Sequence, residues 1–167
     1  MAEIKTSFKG DQTSTKEKEE LSQKIVDIAR VTRVTEGGRQ IAFRVCVVVG
    51  DKKGKVGMGI SKGSDVAFAI SKALTKAKKN MIQIPLIEKR TIPYEIREKF
   101  KAVEILLKPA PSGSGIIAGG AMRTILNLGG VKDVVGKILG SKNKINNVKA
   151  TFNALKKLDL EKVKRKK

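Results

Sequence analysis

Alternation of residue size along 41–61 constrains this chain more than any other feature. Ile41, Phe43, Val45, Val47 and Val49 alternate with Ala42, Arg44, Cys46 and Val48, the period of two that a pleated strand demands. Gly50-Asp51-Lys52-Lys53-Gly54 reads as a tight, basic hairpin loop. Lys55 to Ser61 follows as another strand, with Val56, Met58 and Ile60 on one face and Gly57, Gly59 and Ser61 on the other. Glycine weakens a strand unless another backbone comes close. The bare face therefore needs an occupant.

Upstream, Ile25, Val26, Ile28, Val31 and Val34 suggest a strand over 24–35 with an irregular period, and Gly37-Gly38 signals a turn. Downstream, a helix is expected from Asp65 to about Asn80, with Ser64 as N-cap. Its apolar stripe is Val66, Ile70, Ala73, Ala77 and Met81, with Lys72, Lys76 and Lys79 nearly opposite. Three antiparallel strands and a helix packed on one sheet face make the first unit. A second unit begins after Pro85. Ile87–Ile92 and Val103–Leu107 read as strands, and a helix ends near Leu128 before Gly129-Gly130. Val131–Leu139 is a short apolar element. Asn143 caps a last helix whose stripe is Ile145, Val148, Phe152 and Leu155. Both halves are α+β. The expected divisions are a polar arm over 1–20, domains over 21–86 and 87–160, and a basic tail over 161–167.

Several chemistries are excluded. The chain has no His and a single Cys, so a Ser-His-Asp or Cys-His unit, a His/Cys zinc site and an internal disulfide are all impossible within it. Cys46, inside a strand, should be buried with a raised pKa and little reactivity. The N-terminus shows no secretory pattern and no apolar run approaches a membrane span. Gly113-Ser114-Gly115-Ile116-Ile117-Ala118 fits the G-x-G-x-x-A dinucleotide pattern. Pro109 and Pro111, however, separate it from the preceding strand, and Asp133 lies in no second strand of a βαβ unit. Gly136-Lys137 is followed by Ile138 rather than the hydroxyl a phosphate loop requires. Glu88, Glu95, Glu98 and Glu104 all stand near Lys or Arg, as surface pairs do. No catalytic residue, cofactor, metal or small-molecule substrate is expected.

Charge points to the partner. The 167 residues carry 36 Lys and Arg against 16 Asp and Glu, a net +20. Residues 21–85 hold +9 and residues 86–160 hold +8, so a basic tail alone does not explain the excess. Such a surplus favours an extended polyanion. Arg30, Arg33 and Arg39 flank the glycine turn, Lys52, Lys53 and Lys55 crowd the hairpin loop, and Lys62 precedes a helix start suited to phosphate. Three clusters around one small sheet imply nucleic acid, and Gly57 and Gly59 are expected to let a sugar-phosphate backbone near that sheet. Aromatics are 4%, too few for base stacking, which favours phosphate and 2′-hydroxyl contacts with structured RNA.

Arg30-Val31, Gly37-Gly38-Arg39, Val48-Val49-Gly50-Asp51 and Gly54-Lys55-Val56-Gly57-Met58-Gly59 closely resemble the bacterial small-subunit ribosomal protein S-five family. So do Thr91-Ile92-Pro93, Leu107-Lys108-Pro109-Ala110, Gly113 to Gly120 and Gly140-Ser141 through Asn146. The resemblance spans roughly Leu21 to Leu158. It implies a βββα module similar to double-stranded-RNA-binding domains, then a C-terminal α/β domain with a left-handed βαβ crossover. It also implies a non-enzymatic constituent of the cytoplasmic small ribosomal subunit that binds 16S ribosomal RNA and supports decoding accuracy. Ribosomal proteins S-four and S-eight would be neighbours, with S-three nearby and messenger RNA entering alongside. By position, Arg30, Val31, Thr32 and Arg33 match the family's RNA-reaching loop. Gly115, Gly119, Gly120 and Arg123 match the segment at the S-four interface. The alternative is a free-standing double-stranded-RNA-binding assembly or regulatory factor. The RNA-binding set is thus Arg30, Thr32, Arg33, Arg39, Lys52, Lys53, Lys55 and Lys62.

Overall fold

The alternating run forms half of a long hairpin in the computed structural model, which describes residues 21–158. The expected arm over 1–20 and tail over 161–167 lie outside the described residues. Strand β1 (Ser22–Thr35) pairs antiparallel with β2 (Gly38–Gly50), from Thr35 opposite Gly38 to Ser22 opposite Gly50. The irregular apolar period of β1 has a cause. The register shifts between Ile25 and Asp27, leaving Val26 as an extra residue, and this bulge returns Ile25 and Ile28 to the same face. Strand β3 (Lys55–Gly63), helix α1 (Val66–Lys79) and β4 (Met81–Gln83) complete a sheet ordered β1-β2-β3-β4.

Two local expectations shift. The α1 N-cap is Asp65, not Ser64: the Asp65 carboxylate accepts from the Ala67 amide at 3.3 Å. Met81 fits the helical stripe in sequence but lies in β4, opposite Gly57. The residues α1 buries are Ala69, Ala73 and Ala77.

Those alanines occupy the bare glycine face. Val45, Val47, Val49, Ala69, Ala73 and Ala77 form one buried cluster. A Cβ on Gly59 would lie 2.0 Å from the Ala73 carbonyl oxygen, and one on Gly57 would lie 2.3 Å from that of Ala77. Two strand residues rise about 6.6 Å and four helical residues about 6 Å, so Gly57 and Gly59 match successive helix turns. The approaching backbone is α1, and the expectation of a sugar-phosphate backbone there is wrong: nothing else fits between sheet and helix.

The opposite sheet face is also covered. Cys46, Val48 and Val56 join the larger core with Ile105, Leu107, Met122, Ile125, Leu126 and Leu155 of the second unit. Burial pushes the Cys46 thiol up to about 11, with the Asp27 carboxylate adding to the effect. It is therefore protonated and inert near neutrality.

In the second unit, residues 87–92 do not extend. Ile87 and Thr91 form one isolated bridge across a turn in which Glu88 and Lys89 have φ of 52° and 54°. The strand instead comes later, as β5 (Ile96–Phe100), hairpinned to β6 (Val103–Pro109). Strand β7 (Ile116–Ile117), helix α2 (Gly120–Leu128) and β8 (Val134–Gly140) form a crossover between parallel neighbours, and the sheet order is β5-β6-β8-β7. Helix α3 (Lys144–Lys156) starts at Asn143 as expected, whose side chain accepts from the Ile145 and Asn146 amides. Among the described residues no helix is long and apolar enough to cross a membrane.

Candidate nucleic-acid interface

Strand pairing distributes the cations. Residues directly opposite share a face, so Arg30 (opposite Phe43), Thr32 (opposite Ile41) and Arg39 (opposite Val34) lie on the α1 side of the ribbon. Arg33, opposite Gln40, and Lys62, opposite Arg44, lie on the other side. All five predicted residues are exposed. Thr32, Arg33, Lys62 and Ser64 border a groove of about 630 Å³ at this end of the sheet. The resemblance places Arg30 to Arg33 in a loop. The structure places them inside β1, with the turn at Glu36-Gly37 directly after its end. Among the described residues, Arg30, Arg33, Arg39 and Lys62 have no acidic partner.

Lys52, Lys53 and Lys55 are not part of that group. Gly50 lies eleven positions beyond Arg39 along β2, roughly 36 Å of strand. The three expected clusters around the sheet are thus two groups at its opposite ends. The loop bearing the second group is held firmly. Asp51 Oδ1 accepts from the Lys53 and Lys55 amides at 2.7 and 2.9 Å. The Lys52 amide donates to the Leu128 carbonyl at 3.0 Å, at the α2 C-terminus. Lys52 and Lys53 are exposed, and Lys55 is half-buried.

The glycine-rich segment resolves differently from its motif. The Gly113 and Gly115 amides each donate to Asp133 Oδ1 at 3.0 Å, and Arg90 Nε donates to Asp133 Oδ2 at 3.0 Å. Gly113 and Gly115 have φ of 91° and 68°, conformations that suit glycine. The amides that a dinucleotide pattern would offer to pyrophosphate are thus spent on the protein's own carboxylate. Gly115 serves this internal cage, while Gly119, Gly120 and Arg123 are exposed. Asp133 lies in no second strand of a βαβ unit, so the sequence gives it no role, and no local pattern links it to Gly115, eighteen positions away.

The Gly115 amide foremost, with Arg90 and Gly113, holds the Asp133 carboxyl below its ordinary value. A depressed folded-state pKa contributes stability that is complete above the unfolded value, near pH 4, and lost as pH falls through the folded one. Asp133→Asn should therefore lower stability at pH 7 and flatten the acid decline below roughly pH 4. Urea midpoints from pH 2.5 to 7 read this; parallel curves for the two proteins would contradict it.

Three of the four carboxylates weighed as catalytic candidates are employed in ion pairs. Glu98 pairs with Lys157 at 2.7 Å, Glu95 with Lys108 at 3.2 Å, and Glu104 with Arg97 across the β5–β6 hairpin. Among the described residues no three metal-ligating side chains gather.

Comparison with known proteins follows this architecture. Residues 21–85 match the family described as Ribosomal protein S5, N-terminal domain, and residues 98–166 match Ribosomal protein S5, C-terminal domain. The chain is 46% identical over 138 residues to small ribosomal subunit protein uS5c of Cyanidium caldarium, covering 83% of this chain and 82% of that protein. It is 48% identical over 140 residues to uS5 of Thermotoga neapolitana, covering 84% and 78%. With uS5 of Mycoplasma mobile it shares 50% over 143 residues, 86% of this chain but 59% of that longer protein. Two family domains in order and relatives matched over most of their length leave one conclusion: the chain belongs to the ribosomal protein S5 family, whose members are structural and non-enzymatic.

Proposed function

We propose that this chain is a structural constituent of the small ribosomal subunit, joining 16S ribosomal RNA helices by neutralising phosphates at both ends of its first sheet. The observation carrying this reading is the hairpin end, where Arg30, Arg33, Arg39 and Lys62 are exposed with no acidic partner among the described residues. Cations left unpaired on a rigid two-stranded ribbon repel one another until a polyanion arrives. Lys52 and Lys53, fixed on the α2 C-terminus, hold a second backbone at a set distance. Between α1 and the second unit the sheet is buried on both faces, so that part offers no surface for bases to stack on.

The finer assignments rest on the family. Neighbouring protein S-four meets the second unit near Gly119 and Arg123, S-eight is a further neighbour, and S-three lies nearby. Messenger RNA enters alongside, decoding accuracy depends on the fit, and the particle works in the cytoplasm. Sedimentation of cell extract tests the placement. The chain should comigrate with the small subunit through a high-salt wash. Release into the free fraction would instead indicate a free-standing double-stranded-RNA-binding factor.

A further inference from the structure

A cleft of about 640 Å³ lies between the start of β1 and the N-termini of α2 and α3, bordered by Lys24, Lys142, Lys144, Gly120, Ala121 and Asn147. None of these residues belongs to the RNA-binding set derived above, and the resemblance assigns Gly120 to protein contacts. Three features converge there. First, α2 begins without a side-chain cap, its N-cap being Gly119, and its first turn has no acidic residue. Among the described residues the Gly120 and Ala121 amides have no acceptor, so the positive helix end is unspent. Second, Lys24 and Lys142 are exposed with no acidic partner among the described residues, while Lys144 pairs with Asp27 at 3.3 Å. Third, Asn147 in the cleft wall is 5% exposed, its Oδ1 is buried without a partner, and no hydrogen bond is made by its side chain among the described residues. A buried carbonyl oxygen left unspent is costly unless something completes it.

The ligand chemistry follows. Free helix amides and two lysines suit a phosphate. An amide suits a group that both donates and accepts, which a phosphate does not and a hydroxyl does. A ribose-phosphate offers both, and its 2′-hydroxyl is what separates RNA from DNA. We infer that this cleft holds one ribose-phosphate of the bound RNA, the phosphate against the α2 N-terminus, Lys24 and Lys142, and the 2′-hydroxyl at Asn147. This rests on the ribosomal RNA reading and gives it a third anchoring point, on the seam between the two units.

Interference mapping on the full chain tests it. Pools of 16S ribosomal RNA transcript carrying sparse 2′-deoxy or phosphorothioate substitutions are selected by the wild type, by Asn147→Ala and by the Lys24→Ala/Lys142→Ala double variant. The wild type should reject certain 2′-deoxy positions, and one should be accepted by Asn147→Ala, with binding of the unsubstituted transcript about fivefold weaker, as for one hydrogen bond. The double variant, which alters only exposed side chains, should lose the phosphorothioate effect beside that position and lower the salt slope by about 1 to 2 units. Identical maps for all three proteins would overturn the inference while leaving the ribosomal reading intact. Variants with unchanged maps that no longer retain a neighbouring small-subunit protein would overturn it in favour of a protein seat. A wild type that selects no transcript at all would instead defeat the ribosomal RNA reading itself.

Discussion

Gly59→Ala should destabilise the protein by about 3 kcal/mol or more, lowering its melting temperature by roughly 10 °C. The added methyl would sit 2.0 Å from the Ala73 carbonyl oxygen and 2.7 Å from the Ala77 amide nitrogen. Both are helix backbone atoms, so no side chain can rotate away. Relief requires α1 to lift from the sheet, which opens the Val45, Val47 and Val49 cluster. Gly57→Ala should behave alike, its Cβ falling 2.3 Å from the Ala77 carbonyl oxygen. Gly37→Ala is the matched control, because a Cβ there meets nothing within 4 Å, and its effect should stay within about 0.5 kcal/mol. Thermal melts of the three variants decide the matter. A Gly59→Ala protein with native stability but weakened RNA binding would mean that the bare face serves RNA after all.

The second large effect concerns the hairpin end. Replacing Arg30, Arg33, Arg39 and Lys62 together by Ala should flatten the dependence of log affinity on log salt by about 3.6 units, since each phosphate contact contributes about 0.9. At physiological salt this amounts to about three decades of affinity for 16S transcript. Stability should change little because these side chains are exposed. Replacing Lys52 and Lys53 should remove about 1.8 units more. The two sets should add, for roughly 36 Å of strand between them far exceeds a Debye length of about 8 Å. Titrations from low to physiological salt provide the measurement. An unchanged slope in the fourfold variant would remove the hairpin from the interface.

What could be read from residues alone depended on whether the relevant force was local. Strand β2 was evident because one period of two runs through buried valines, and α3 was evident from the Asn143 cap and its stripe. Strand β5 was missed because its inward residues, Ile96, Glu98 and Phe100, alternate with Arg97 and Lys99, and a carboxylate on the inner face hides the pattern. Glu98 is tolerated there by Lys157, a partner 59 positions away. Met81 continues the spacing of α1 but pairs with Gly57, since Asn80 already closes the helix by donating to the Lys76 and Ala77 carbonyls.

The site was legible to a similar degree. Exposed cations at the hairpin end follow from composition and turn signals, whereas their separation from Lys52 and Lys53 requires the strand register. The need for a neighbouring backbone at Gly57 and Gly59 was readable, but its identity was not, because alanine spacing in a helix looks the same whether it faces a sheet or solvent. The Asp133 cage and the Asn147 cleft join residues distant in sequence, and neither leaves a local trace.

The central claim is that cations on both units offset the charge of folded ribosomal RNA. Competition binding tests it most directly: purified full-length chain bound to labelled 16S transcript, challenged with unlabelled transcript or with heparin at equal charge concentration. The account predicts that transcript displaces the label at far lower concentration than heparin does. Equal displacement by the two polyanions would contradict it.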